Sequence, residues 1–289
     1  MPVEKKSEQG QAPQEGKALR FLYHTVPGRF LLKALTCRGL SRLCGAYLDS
    51  PLSKPLISSF VRKNHIRLED YTRQDFPCFN ACFSREIRPE LRPIPQEPGA
   101  LIAPCDGLLS AYHVREGTVL PIKQSAYTVG DLLGGDAVAQ RYRDGVCLVF
   151  RLCVDHYHRY CYLDDGRKGP NVFLPGKLHT VRPIALAQVP VFVQNCREYT
   201  VMETEHLGTV TQIEVGAMLV GKIKNHQGEG SFTRGQEKGM FLYGGSTIVV
   251  LLERDRAELP EQLFADTERG VETPVRMGQR IGTALFRQA

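Results

Sequence analysis

The sequence has 289 residues, of which 42% are hydrophobic and 24% charged, and a formal net charge of +6 at pH 7. This composition is typical of a soluble globular protein, and no apolar run reaches the roughly 20 residues that span a bilayer. The nine cysteines are scattered and odd in number, which favours free thiols over a disulfide framework. Cys78 and Cys82 lack a second ligand pair at zinc-site spacing, so no metal site is predicted.

The N-terminal 16 residues are polar and rich in Gln, Glu, Gly and Pro. Such a composition predicts a disordered tail over residues 1–16. The tail contains no hydrophobic segment, so a secretory signal is not expected.

The positive charge is concentrated in one region. Residues 17–67 contain ten basic residues and a single acidic one, a net +9, which leaves the rest of the chain acidic by about three charges. Apolar residues at helical spacing occupy 30–35 and 40–47, which predicts short amphipathic helices. We expect residues 17–99 to form a basic helical region. Its helices either lie in an anionic lipid headgroup layer or pack on the core with solvated cations. No nucleic-acid partner is predicted.

From residue 100 onward the pattern changes to that of strands. Apolar, β-branched segments separated by turn clusters occur at 147–154, 189–194, 211–223 and 246–253. One helix is predicted within 127–142. The sequence therefore predicts an α+β protein, with a mostly β catalytic domain over 100–289 and amphipathic helices at its N-terminal side.

Two stretches before residue 170 carry residue types suited to chemistry. Asp106 lies in APCDG, where an Asp-Gly pair by itself indicates only a turn. His156 and His158 lie in DHYHRYCYLDDG, directly after an apolar strand. Being two residues apart, they point to the same side of an extended chain. A catalytic role and a structural role are both open for each of them.

The third stretch is GGST, residues 244–247, which precedes the most apolar strand of the chain. A turn before a strand needs one glycine, whereas this one has two. Two glycines permit strained backbone geometries that a Cβ would resist. A serine at the head of a buried strand is either capped by backbone or available for chemistry, which makes Ser246 a candidate nucleophile.

Taken together, these motifs identify a resemblance. The sequence resembles the pyruvoyl-dependent phosphatidylserine decarboxylases over nearly all of its length after about residue 40. The resemblance is carried by PCDG (104–107), FRLCVDHYHRYCYLDDG (150–166), LHTVRPIAL (178–186), REYTVMET (197–204), IEVGAMLVGKI (213–223), RGQEKGMFLYGGST (234–247) and GQRIG (278–282). It points to the bacterial branch in which GGST replaces the commoner LGST.

The resemblance implies a precursor that cleaves itself. Ser246 would attack the Gly245 carbonyl, and elimination would divide the chain into a β chain, 1–245, and an α chain, 246–289. Residue 246 would become a covalent pyruvoyl group that forms a Schiff base with the substrate amine. The implied reaction converts phosphatidylserine into phosphatidylethanolamine. The implied protein is a heterodimer of its own two chains, with a higher oligomer left open. It would be peripheral to the cytoplasmic side of the cell membrane, at an anionic lipid surface.

The resemblance also suggests the groups that activate the serine. Asp106 matches the family aspartate, and His158 matches the first histidine of the YHRxH motif. Cys161 stands where many members have the second histidine, the one usually assigned to the relay. His158 is therefore the first choice for the base. His179, in LHTV, is a replacement candidate, and the Cys161 thiol is a further candidate proton donor.

Three alternatives stay open at this point. A pyruvoyl enzyme could act on a soluble amino acid or on another serine lipid. Asp106, His158 and Ser246 also suit a Ser-His-Asp hydrolase, although the Gly-x-Ser-x-Gly elbow is missing around Ser246. The last alternative is a membrane adaptor without enzymatic activity, which would keep a single chain.

Overall fold

The structure is a computed structural model. It describes residues 21, 25, 27, 38–115, 120–122, 125–176, 195–216, 223–242 and 246–285. Three predicted elements lie outside these residues: the tail over 1–16, the helix at 30–35 and the strand at 189–194.

Short helices come first in the described chain. They are α1 (Arg38–Asp49), α2 (Pro55–Lys63) and α3 (Phe79–Phe83), with 3₁₀ turns at Pro51–Ser53, Leu68–Asp70 and Pro89–Leu91. Helix α1 confirms the helix predicted at 40–47. Proline at the first helical position starts α2, where its missing N–H costs nothing. The three helices bury one apolar cluster, formed by Leu48, Phe79, Phe83, Cys44, Ile57 and Phe60.

The main sheet has eight strands, all antiparallel to their neighbours, in the order β11-β7-β8-β9-β13-β5-β2-β15. The strands are β2 (Gly107–His113), β5 (Val146–Leu152), β7 (Gly166–Leu174), β8 (Arg197–Thr204), β9 (Gly208–Val215), β11 (Gly230–Phe232), β13 (Ser246–Leu252) and β15 (Thr273–Val275). Strand β13 is buried along its whole length between β9 and β5. This matches its continuous apolar sequence.

Smaller sheets and a helix near the C-terminal end lie beside the main sheet. They contain β1 (Ala100–Ile102), β3 (Leu120–Ile122), β4 (Ser125–Tyr127), β6 (Arg159–Cys161), β10 (Ile223–Asn225), β12 (Glu237–Phe241), β14 (Ala257–Glu258), β16 (Arg280–Ala284) and α6 (Glu261–Glu268). The small sheets run β10-β12-β6, β1-β16-β14 and β3-β4. One large apolar core joins the main sheet to the first two of these. The predicted α+β class, mostly β with helices at the N-terminal side, is confirmed.

The single helix predicted within 127–142 is wrong in detail. The segment instead forms α4 (Val129–Leu133), α5 (Asp136–Ala139) and a 3₁₀ turn at Gln140–Tyr142. Gly134 ends α4 in the left-handed region at φ 73°, a conformation that glycine adopts without a Cβ clash. The strand predicted over 211–223 is also divided, because β9 ends at Val215 and β10 begins at Ile223.

A buried ion pair lies between β9 and β12. The Lys238 Nζ is 2.7 Å from Glu214 Oε1 and 3.0 Å from Asn225 Oδ1, and both charged side chains are fully buried. Gln212 Nε2 donates to the same carboxylate oxygen at 3.0 Å. The carboxylate and the ammonium therefore compensate each other inside the core, where either alone would be costly.

Removal of one partner is expected to be more harmful than removal of both. Lys238→Met leaves Glu214 buried without its cation and should lower the free energy of unfolding by about 3–5 kcal/mol. Lys238→Met combined with Glu214→Leu should recover most of that loss. Urea unfolding of the variants measures it, with Lys224→Met on the exposed side of β10 as the control. A double variant as unstable as the single one would contradict this interpretation.

Candidate active site

The predicted site residues that the structure describes are Asp106, His158 and Ser246. The segments that carry them begin or end at the same end of three paired strands of the main sheet, β2, β5 and β13. Leu108 of β2 and Thr247 of β13 both pair with Arg151 of β5, and Thr247 also pairs with Val215 of β9. Asp106 lies immediately before β2, Ser246 is the first residue of β13, and the segment that leads to His158 follows β5. Antiparallel register thus brings segments distant in sequence to one end of the main sheet.

Ser246 is the first residue of β13 and is 2% exposed. It pairs with Leu152 of β5, and the residue after it is held on both sides by β5 and β9. The strand therefore fixes the position of the Ser246 backbone. Gly245, the other residue of the predicted cleavage site, lies outside the described residues.

His158 lies immediately before β6 and is completely buried. Its ring packs against Phe83 with centroids 4.1 Å apart, and its carbonyl accepts the N–H of Phe241 at the end of β12. Its Nδ1 is 2.9 Å from the carbonyl oxygen of His156. A carbonyl can only accept, so Nδ1 carries the proton and Nε2 has a lone pair. Among the described residues, Nε2 has no hydrogen-bond partner.

The environment of His158 keeps it uncharged. Burial lowers its pKa to about 3, and the positive charge of Arg85 acts in the same direction. The imidazole is therefore neutral at physiological pH. The ring therefore offers a free Nε2 lone pair, with no hydrogen-bond partner among the described residues, and its low pKa makes it a weak base that releases a proton easily.

Asp106 is held by its own cation. Arg92 Nε donates to Oδ1 at 2.8 Å and Arg92 Nη2 donates to Oδ2, while the Met277 N–H donates to Oδ1 at 2.9 Å. Gly107 lets β2 approach β5 closely here, because an added Cβ would lie 3.1 Å from the Arg151 carbonyl oxygen. Nδ1 of His158 thus bonds to a backbone carbonyl, whereas the Asp106 carboxylate bonds to Arg92 and Met277. The predicted role of Asp106 stays a prediction.

The two substitutes considered for the missing histidine differ in what the structure describes. Cys161 is fully buried, its N–H donates to the Pro104 carbonyl at 2.9 Å, and burial raises the pKa of its thiol to about 12. The thiol therefore stays protonated at neutral pH and is a weak proton donor, the role considered for it. His179 lies outside the described residues. The residues that flank its segment, Leu174 and Arg197, pair with each other on β7 and β8.

His156 has the opposite tautomer to His158. The Cys153 N–H donates to His156 Nδ1 at 3.1 Å, so the ring proton of a neutral His156 is on Nε2. Ligand-type atoms of Cys153, Asp155 and His156 lie within 4.8 Å of one another. Two of these groups are already engaged, because Cys153 Sγ also accepts from Arg151 Nη1 at 3.2 Å. A neighbouring guanidinium opposes the binding of a cation.

Sequence reasoning missed both arginines that contact this region from the N-terminal side. Arg92 binds Asp106, and Arg85 binds the loop before His158. Each lies in an irregular segment without a periodic pattern. A tertiary contact of this kind gives no signal in a single sequence.

Comparison with known proteins is decisive for the family. The family model for phosphatidylserine decarboxylase matches residues 79–283. The chain belongs to the phosphatidylserine decarboxylase family. Phosphatidylserine decarboxylase proenzyme 2 of Clostridium acetobutylicum is 40% identical over 265 residues, 91% of each chain. The phosphatidylserine decarboxylase proenzymes of Clostridium novyi and Clostridium beijerinckii are 35% and 34% identical, over 92% and 93% of each chain. The family predicted from the motifs is confirmed.

The low pKa of His158 in this family member predicts how its stability depends on pH. The folded value is about 3, against 6.5 for an ordinary histidine. Between these values the unfolded chain binds a proton that the folded chain does not. The contribution of His158 to the free energy of unfolding is therefore complete above about pH 6.5. It is lost toward pH 3, by up to about 1.4 kcal/mol per pH unit. His158→Gln removes this contribution.

Urea unfolding between pH 7.5 and 4.5 measures the effect, with both proteins in a Ser246→Ala background that keeps the chain whole. The free energy of unfolding should fall less steeply on acidification in the His158→Gln protein. Burial also lowers the pKa of His156, which keeps its own share of the slope in both proteins. Identical slopes would show that His158 is not titrated on unfolding in the way its burial requires.

Proposed function

We propose that this protein decarboxylates phosphatidylserine to phosphatidylethanolamine, using a pyruvoyl group made from Ser246 by cleavage of the Gly245–Ser246 bond. The observation that carries the proposal is a buried serine at the head of β13, together with a buried, neutral His158 whose Nε2 has no hydrogen-bond partner among the described residues. Family membership supports the reaction, and the relatives named above are called proenzymes.

Cleavage would begin with the serine hydroxyl. His158 Nε2 accepts the Oγ proton as Oγ attacks the Gly245 carbonyl carbon, and the C–N bond breaks to leave an ester and a free amine. Loss of the Cα proton of residue 246 then breaks its Cβ–Oγ bond, so Gly245 departs as a carboxylate with the former serine oxygen. Residue 246 is then an enamine, which takes a proton at Cβ and becomes an imine. Water adds to the imine carbon and ammonia leaves, so that residue 246 carries a methyl ketone.

The residues around position 246 fit a pyruvoyl group. Once bound as part of the chain, such a group supplies an electron sink for the carbanion left by loss of carbon dioxide. Burial of residue 246 excludes bulk water from this chemistry. His158 holds a proton weakly, so a proton taken up at Nε2 is readily returned to a carbanion beside it. Arg92 and the Met277 N–H keep the Asp106 turn at the same end of the sheet.

The two chains produced by cleavage would stay together as a heterodimer. Strand β13 begins the α chain, and its partners β5 and β9 both belong to the β chain. Six or seven residues of β13 pair with each of these strands, and every one of them is buried. Separation would therefore expose the centre of the core.

The N-terminal helices supply a surface suited to lipid, in keeping with our division into a membrane-associating region, 17–99, and a catalytic domain, 100–289. Large apolar side chains are exposed there: Leu43 by 69%, Tyr47 by 45%, Leu52 by 76% and Leu56 by 41%. The Tyr47 hydroxyl lies 3.5 Å from the Leu52 carbonyl, so α1 and the following turn meet. Arg62 and Lys63, at the end of α2, are exposed and follow these apolar residues closely in sequence.

Exposed apolar side chains beside cations suit an anionic membrane surface, and we propose peripheral binding on the cytoplasmic side. In the part of the chain that the structure describes, every helix is too short or too polar to cross a bilayer.

Intact-mass analysis tests the cleavage. In proportion to length, the 32.4 kDa chain of 289 residues divides at 245/246 into pieces of about 27 kDa and about 5 kDa. Ser246→Ala should leave one full-length chain without decarboxylase activity, because the nucleophile is gone. Active protein of undivided mass would exclude the mechanism. Labelling of intact Ser246 by a fluorophosphonate probe would instead favour a hydrolase.

Vesicle binding tests the lipid surface. Leu43→Ser with Leu52→Ser should weaken binding to vesicles of phosphatidylserine and phosphatidylcholine by about tenfold or more, because two exposed leucines lose their burial in lipid. Val271→Ser, at an apolar residue 51% exposed between α6 and β15, is the matched control. Activity on a short-chain, water-soluble phosphatidylserine should not change. Unchanged vesicle binding would contradict this surface, and turnover of free serine would favour a soluble substrate.

A further inference from the structure

Arg85, two residues after α3, is one of the largest fully buried side chains of the protein, 1% exposed. Its Nη1 donates to the carbonyls of Cys82 and Phe83, each at 3.3 Å. Its Nη2 donates to the carbonyls of Asp155 at 3.2 Å and His156 at 3.5 Å. The guanidinium carbon lies 4.6 Å from the centre of the Tyr71 ring. Arg85 therefore joins the segment after α3 to the loop before His158.

Within the described part of the chain, no carboxylate forms an ion pair with Arg85. Its Nε is buried and has no hydrogen-bond partner there. Two other arginines at this end of the sheet differ, since partly buried Arg92 pairs with Asp106 and buried Arg151 pairs with Glu272. A buried cation without an anion is costly. Arg85 therefore places a positive charge beside the loop that precedes His158, and no anion compensates this charge among the described residues.

The carbonyl oxygen of His156 links Arg85 to the histidine. It accepts from Arg85 Nη2 and also from Nδ1 of His158. A carbonyl held in place by a rigid guanidinium fixes the Nδ1 proton of His158, and with it the direction of the Nε2 lone pair. We propose that Arg85 is the positioning residue for His158. Arg85 holds the 155–156 backbone, so that Nε2 of His158 stays unprotonated and aimed into the site. The role of His158 as the base rests on the proposed function.

The charge of Arg85 adds a second effect. Burial lowers the pKa of His158 most, the hydrogen bond to the His156 carbonyl raises it, and the charges of Arg85 and His156 lower it. The other charged groups on the adjacent elements are paired: Arg159 on β6 binds Glu237 on β12, and Lys238 on β12 binds Glu214. Asp155, in the same loop, is exposed. Loss of the Arg85 charge acts to raise the pKa of His158, whereas loss of the hydrogen bond to the His156 carbonyl acts to lower it.

A purely structural contact between two segments would predict something different. It would lower stability without altering the tautomer or titration of His158. Nitrogen-15 NMR of histidine-labelled precursor separates the two cases, with Ser246→Ala in every protein to keep the chain whole. His158→Gln in the same background assigns the His158 signals. This measurement does not depend on cleavage or on the pyruvoyl group.

Two substitutions at Arg85 test the proposal. Arg85→Gln removes the charge and the fork of donors, so a mixture of tautomers is expected for His158. Arg85→Lys keeps the charge and can bind one carbonyl. It should fold, keep the low pKa and show a partly mixed tautomer. Arg234→Gln is the matched control, because Arg234 also donates to backbone carbonyls, those of Glu97 and Ala100, at another part of the fold.

The functional readout is the rate at which precursor made in a cell-free system cleaves itself, measured across pH 4.5–8. Arg85→Gln should slow cleavage by about tenfold or more at neutral pH, given the usual contribution of a general base. Arg85→Lys should be slowed less and keep the original pH profile. Arg234→Gln should leave both the rate and the profile unchanged.

An unaltered tautomer and titration of His158 in a folded Arg85→Lys or Arg85→Gln precursor would overturn the proposal. So would a cleavage profile of Arg85→Gln that matches Arg234→Gln. If the unsubstituted chain itself is never cleaved, the proposed function fails, whereas the tautomer result still decides the role of Arg85.

Discussion

The pairing of β13 with β5 and β9 is the constraint on which the site depends. Its register places Ser246 at one end of the sheet, while every later residue of β13 is buried in the core. The same register brings the Asp106 turn and the loop that follows β5 to that end of the sheet. A slip of one residue would turn the serine to the opposite face, so the burial of β13 fixes the geometry of the site as well as the fold.

Low solvent access governs the electrostatics at this end of the sheet. His158 is neutral because a buried charge would be costly, and its proton position is set by a backbone carbonyl rather than by a carboxylate. Asp106 remains buried because Arg92 compensates it. Arg85 lacks such a partner among the described residues, which is why it stands out. His158 is thus an uncharged ring, and the Asp106 carboxylate at the same end of the sheet already has its cation.

Much of the fold followed from sequence patterns, because β13 and β5 are long apolar runs and α1 has a clear helical period. The break at Gly134 was missed, since apolar spacing does not register a single left-handed residue. Ser246 and His158 were selected from local motifs and family resemblance. Their surroundings could not be selected in this way. Arg85 acts through carbonyls about 70 residues away in sequence, and hydrogen bonds to backbone leave no trace in residue identity.

The location of β13 has a consequence for the lifetime of the enzyme. Under the proposed function, the prosthetic group is an end of this strand and cannot diffuse away or be exchanged. A strand held in the middle of an eight-stranded sheet leaves only through global unfolding. Chemical damage to the group would therefore be permanent, and lost capacity would be restored only by synthesis of new polypeptide.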